Sequence, residues 1–256
     1  MINIKYLIVT FLIYTNSFGQ KDLLIEYDYT NNINYTCTSQ LFVSEKEAVF
    51  QINDKRESGF FDNGEVMGFV YNDKLSTFFY STKEISYTRI PLYSSEIVYS
   101  QSTNNLKFEL TGKAKVINNY NCNEAKLKLN NRIYTIWFTP DVNVNFGPYK
   151  INGLPGLIVE LKEETNNINI SLKSIKKLED TKVFTTYKNL FATKKVLTFS
   201  EYEKNIVKII TAKKAKDIAY FKENEATMEY KEDQSFFTQD IIDIPSNLVE
   251  ELKKIN

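Results

Sequence analysis

The chain has no histidine anywhere in its 256 residues. That removes imidazole general-base catalysis, Ser-His and Cys-His nucleophile pairs, and the commonest transition-metal ligand. Charge of one sign is also missing: 32 basic residues face 32 acidic ones. A nucleic-acid binder needs a basic surface to displace counterions, so no nucleic-acid partner is expected. No apolar run reaches the roughly twenty residues a membrane-spanning helix requires. Tryptophan occurs once and cysteine twice, so neither a disulfide scaffold nor a cysteine-rich metal site is open. Proline (five) and glycine (eight) are scarce, which makes their placement informative.

Three of those glycines and two of those prolines fall in Phe146-Gly147-Pro148-Tyr149-Lys150-Ile151-Asn152-Gly153-Leu154-Pro155-Gly156-Leu157-Ile158. Glycine reaches backbone angles closed to other residues, and proline fixes φ and removes a donor, so the cluster dictates one backbone path. Its apolar members predict that the path packs on a core. Gly147, Pro148, Gly153, Leu154, Pro155, Gly156, Leu157 and Ile158 are read as this structural motif. No nucleophile, carboxylate or metal ligand lies within it.

The N-terminus reads as a secretory leader. One cation, Lys5, precedes the apolar run Tyr6 to Tyr14, and Ser17-Phe18-Gly19 is a small-x-small cleavage signature. A signal peptide over 1–19 and a mature chain from Gln20, with no transmembrane span, are the expectation. No cysteine near the cleavage site prepares a lipid anchor. Export places the protein in the periplasm, at the outer-membrane face or outside the cell. There Cys37 and Cys122 have two arrangements. They could join in a disulfide closing a loop of about 85 residues, worth about 4 to 5 kcal/mol in the chain-entropy model, or stand as two free, buried thiols.

Beyond the leader, short runs alternate apolar and polar residues, as in Leu23-Ile25-Tyr27-Tyr29 and Ile133 to Phe138. Asparagine pairs at 31–32, 104–105, 118–119, 130–131 and 166–167 punctuate them. Asparagine tolerates the left-handed region, so the pairs read as hairpin turns. A further strand is expected at Val66 to Tyr71, and Leu106–Leu110 is expected to pair with Ala114–Val116. The pattern predicts a mainly β chain: a large curved antiparallel sheet, a half-barrel-like meander, in one domain over 20–256. One main helix is expected near 201–221, opened by a capping box at Ser200 and Glu203, with a solvated basic face near Lys213, Lys214 and Lys216. A shorter helix is expected after Pro245.

The hexapeptide Gly153-Leu154-Pro155-Gly156-Leu157-Ile158 resembles the name-giving motif of the GLPGLI family, exported Bacteroidetes-type proteins without an established activity. The resemblance extends over Ile136-Trp137-Phe138-Thr139-Pro140, Phe146 to Lys150 and Cys122, about forty residues in all. It implies export and a β-rich body, and it supplies no catalytic residue.

Catalytic residues, a metal and a cofactor are therefore not assigned. Asp141, Glu160, Glu163 and Glu164 supply carboxylates near the motif, but nothing in the sequence places two of them across a cleft, as glycoside hydrolysis needs. Asp62-Asn63-Gly64-Glu65 is a turn and lacks the alternating oxygen ligands of a calcium loop. Trp137 and Phe138 point to opposite faces of one strand. Trp137 is either an aromatic ligand platform or a core anchor beneath the motif, and the motif turn is either a structural plug or an apolar lip. On the binding reading, Trp137, Phe138, Tyr149, Leu154 and Leu157 contact the ligand. The leading expectation is an exported, non-enzymatic binding or carrier protein for an apolar or amphipathic ligand, a lipid or a protein segment. The alternatives are a secreted carboxylate-based hydrolase acting on glycans, and a structural partner of outer-membrane machinery.

Overall fold

The computed structural model describes residues 22–31, 36–53, 77–92, 95–165, 168–223, 243, 245 and 247–254. Twelve strands form one sheet. In chain order they are β1 (Leu23–Asn31), β2 (Thr36–Val43), β3 (Glu47–Ile52), β4 (Phe78–Thr82), β5 (Ile85–Leu92), β6 (Ser95–Ser102), β7 (Phe108–Ile117), β8 (Tyr120–Leu129), β9 (Arg132–Thr139), β10 (Leu157–Glu163), β11 (Ile168–Lys177) and β12 (Leu197–Thr198). Among the described residues three helices accompany them: α1 (Lys182–Ala192), α2 (Phe199–Glu223) and α3 (Leu248–Lys253). The sheet order is β12-β6-β5-β4-β3-β2-β1-β11-β10-β9-β8-β7. Neighbours are antiparallel except β12, which runs parallel to β6. The chain is thus two meanders joined where β1 pairs with β11.

The sheet is strongly curved. Seven strands separate β6 from β9 in the order. At roughly 4.8 Å per strand, a flat sheet would hold them nearly 40 Å apart. Yet Gln101, in β6, and Asn130, in the turn before β9, exchange side-chain amide bonds of 2.9 and 3.0 Å. The sheet stays open and curls until its two flanks meet at that point.

Asparagine turns set the register at two of the five expected places, whereas Asn104-Asn105 is no hairpin turn, since the strands it joins, β6 and β7, do not pair. Asn118, Asn119, Asn130 and Asn131 all have positive φ, the backbone of two-residue hairpin turns whose twist suits the strands. They join β7 to β8 and β8 to β9. The expected pairing of Leu106–Leu110 with Ala114–Val116 does not form. Phe108–Leu110 and Ala114–Val116 both belong to β7, which pairs with β8 and is interrupted by a register shift between Leu110 and Ala114. Gly112, at φ 76°, absorbs that shift as a bulge instead of a turn. The expected strand at Val66 to Tyr71 lies outside the described residues.

Alternation assigns the faces. Ile25, Tyr27, Leu41, Phe50, Phe79, Ile136 and Phe138 belong to one core on the inner face, which also holds the 144–156 segment. Further along that face Ile90, Ile97 and Tyr99 receive Tyr202, Ile206 and Ile210 of α2, with Leu248 of α3. The outer face carries Val49, Phe78, Tyr80 and Val98 beneath Phe184 and Phe191 of α1.

The main helix begins earlier than its sequence suggests. The capping box is Thr198 and Glu201: the Glu201 N–H donates to Thr198 Oγ1 (3.2 Å), and the Thr198 N–H donates to Glu201 Oε2 (2.8 Å). Both candidate pairs have the same spacing, and sheet pairing of Leu197 and Thr198 with β6 selects the earlier one. Lys216 is exposed as a solvated face requires, but Lys214 is buried. Helix α1 was not expected. Its Val, Thr, Tyr and Phe content favours strands, and burial of Phe184 and Phe191 on the sheet overrides that preference.

Candidate functional site

The glycine-proline segment folds as a short hairpin laid into the inner face. Phe146 bridges Asn152, the Gly147 N–H donates to Ile151 O (2.8 Å), and the Ile151 N–H donates to Pro148 O (3.2 Å). The tip carries Tyr149 at φ 58°, a conformation that costs an aromatic residue energy and persists only where surroundings enforce it. Here the enforcement is packing: the Tyr149 ring lies 5.3 Å from both Phe50 and Phe79. Complete burial pushes the Tyr149 hydroxyl well above its ordinary pKa. Past the hairpin, Gly153 takes φ +96° with open space around it. Gly156 lies where an added Cβ would stand 2.0 Å from Thr139 O, so the chain passes there only without a side chain.

The residue after Tyr149 makes the most consequential contact. Lys150 is 1 % exposed, and its Nζ lies 2.5 Å from Asp243 Oδ2. It also donates to Gln101 Oε1 (2.6 Å). Asp243 is almost fully enclosed: Asn130 Nδ2 donates to Oδ1 (2.5 Å), the Tyr99 hydroxyl donates to Oδ2, and its backbone carbonyl accepts from the Tyr202 hydroxyl (2.7 Å). Tyr99 and Tyr202 stack with centroids 4.0 Å apart. Burial pulls the Lys150 ammonium below the ordinary lysine value, while Asp243 acts in the opposite sense. The network ties the motif, both flanks of the sheet, α2 and the C-terminal segment into one buried knot. A second buried pair, Arg132 with Glu163 at 3.6 Å, lies at the start of β9.

The five residues expected to contact ligand are not gathered at one opening. Phe138, Tyr149, Leu154 and Leu157 are all buried within the inner-face core. Trp137 is half-buried on the opposite face, with Lys115 Nζ 4.3 Å above its ring. Phe138 is buried in that core, and Trp137 is partly buried and packed against it. Gly147, Pro148, Gly156 and Ile158 are buried, while Gly153 and Pro155 are exposed. Cys37 and Cys122 are free thiols on strands separated by four others, so the disulfide arrangement is not the one formed.

Among the described residues two cavities stand out. One, about 470 Å³, is walled by Phe146 and Asn152 of the hairpin with Thr103, Leu106, Phe108 and Lys83. The other, about 680 Å³, lies on the outer face under α1. Its floor is a cross-strand row, Tyr80 opposite Tyr87 opposite Ser100 opposite Thr198. Ile85, Phe191, Val196 and Leu197 complete an apolar wall, and Lys188 and Lys194 reach its margin. Both volumes fall in the range of small-molecule sites. This outer cavity was invisible in the sequence because α1 was. The spacing of Phe184, Tyr187 and Phe191, three and four residues apart, is the signal that would have exposed it.

Elsewhere, β7 ends the sheet order and exposes Leu110 (65 %) and Val116 (68 %). Among the described residues no group of acidic or thiol side chains is placed to hold a metal ion, and no helix is long and apolar enough to cross a membrane.

Residues 76–201 match the family described as N-glycanase peptide, N-terminal domain, just under half of the chain. No curated protein gives a significant match. Among solved structures, PNGF-II in its P21 crystal form is similar at 15 % identity and a TM-score of 0.49, over 72 % of this chain and 32 % of that one. The C2 form of PNGF-II is similar at 16 % identity and a TM-score of 0.46, covering 70 % and 31 %. The chain thus spans about a third of PNGF-II. A LolA superfamily protein, NE2245 from Nitrosomonas europaea, is similar at 9 % identity and a TM-score of 0.27, over 65 % of this chain and 91 % of that one.

Proposed function

We propose that this is an exported, non-enzymatic binding or carrier protein of the GLPGLI family, acting in the periplasm or at the outer-membrane face on an amphipathic ligand. The observation that carries the reading is the outer cavity, an open cleft of about 680 Å³ where aromatic and aliphatic side chains stand beside the Ser100 and Thr198 hydroxyls of the floor and the lysines of the rim. That pairing of an apolar wall with a few polar groups is what small-ligand sites share. The site is not the motif itself, whose Leu154 and Leu157 fill the core. The motif acts one step back, by latching the sheet into the curve that supports the cavity floor.

The neutral fluorophore N-phenyl-1-naphthylamine tests this reading. Its emission rises saturably with the wild-type protein and fails to rise with Ala192→Trp, which blocks the cavity from an exposed helix position. No enhancement with the wild type contradicts a binding role; equal enhancement with both contradicts the location.

A second reading, a partner of outer-membrane machinery, is favoured by the exposed Leu110 and Val116 on β7, since an open strand edge is a template for pairing. Its test is cross-linking from position 116 in native membranes. The glycan-hydrolase reading draws support from the name of the matched family. Against it, Asp243 and Glu163 are each engaged in a buried ion pair.

A further inference from the structure

We infer that the outer cavity selects amphiphiles with a single anionic head, held by Lys188 beside the Tyr87 and Ser100 hydroxyls. The inference rests on the binding reading above and adds the charge class of the ligand.

Among the described residues the lining includes two cations and no carboxylate. The two cations are not equivalent. Lys194 is paired to Glu96, whose other carboxylate oxygen is held by Arg89 at 2.6 Å. Lys188 has no ion-pair partner among the described residues. It lies three residues before Phe191 and four before Ala192, so all three share one flank of α1. The cavity margin therefore presents, beside an aromatic wall, one positive charge without an ion-pair partner among the described residues.

The hydroxyls agree with that charge. Tyr80 donates its hydroxyl to Glu47 Oε2 (2.5 Å), and Thr82 Oγ1 closes its own turn with Ile85 O (3.3 Å). Tyr87 and Ser100 face each other in the cross-strand register, and neither hydroxyl has a hydrogen-bond partner among the described residues. Two uncommitted donors and an ammonium beside an apolar wall complement an oxyanion on a hydrocarbon chain. A cationic head would meet Lys188 with no carboxylate among the described lining residues to balance it.

The test compares dodecanoate with dodecyltrimethylammonium, equal chains of opposite charge, by calorimetric titration of the full protein. The expected result is at least tenfold tighter binding of dodecanoate, shrinking as salt is raised because the contact is partly exposed. Lys188→Gln reduces the preference and Lys188→Glu reverses it, while unfolding curves of both variants match the wild type. Equal binding of the two amphiphiles, or a preference that survives Lys188→Glu, overturns the inference and leaves the binding reading standing. Binding of neither overturns both.

Discussion

Lys150 Nζ and Asp243 Oδ2 lie 2.5 Å apart with side chains 1 % and 2 % exposed, although 93 positions separate them in the chain. Taking one partner from a buried pair leaves the other charge without compensation and costs about 3 to 5 kcal/mol, whereas replacing both with apolar groups can be near neutral. Lys150→Met and Asp243→Leu are each expected to lower the urea midpoint sharply, and the double variant to recover most of the loss. A double variant as unstable as the sum of the singles would show that the pair does not act as a unit.

The motif glycines predict a graded response. Gly153→Ala meets no atom and suffers only its positive φ, a strain of about 1 to 3 kcal/mol. Gly156→Ala has the same kind of strain and drives a Cβ into Thr139 O. Equilibrium unfolding should rank Gly156→Ala well below Gly153→Ala, with Gly156→Ala at or beyond the limit of folding.

Glu96 gives a pH signature. Lys194, then Arg89, hold its carboxyl below the usual value of 4.5. A lowered folded pKa means that the unfolded chain takes up the proton first as pH falls. The stabilisation is thus fully present above about pH 4.5 and is lost as pH falls through the lowered folded value. The stability gap between wild type and Glu96→Gln, about 1 kcal/mol for a partly exposed charged pair, should hold from pH 7 to 5 and close as pH falls through the lowered folded value. A gap that widens on acidification would contradict the assignment.

The thiols make a simple count. Both cysteines are free, Cys122 buried and Cys37 half-buried. Burial raises the Cys122 thiol pKa above 9.0, which further suppresses its thiolate. Ellman titration without reductant should find two thiols after unfolding and, in the native protein, faster reaction at Cys37. A count of zero would restore the disulfide.

Much of the fold was legible because strand and turn signals are local. Period-two alternation marked most strands, and the pairs Asn118-Asn119 and Asn130-Asn131 marked turns whose positive φ needs that residue type. What escaped was decided at a distance. Helix α1 forms against strand-prone residues because Phe184 and Phe191 have Phe78 and Tyr80 to cover. The helix cap moved to Thr198 because β6 claims the residues before it. The motif's path was readable from its glycines, but the role of Lys150 was not: nothing near it in sequence announces Asp243. The candidate cavity followed α1 out of reach, since its wall is built from four strands and a helix that converge only in the fold.

Native mass spectrometry of the protein recovered from its own compartment shows whether it carries a ligand. The predicted result is a mass above that of the chain, with the excess removed by organic-solvent extraction and reduced in Ala192→Trp. A bare mass before and after extraction would contradict a carrier role.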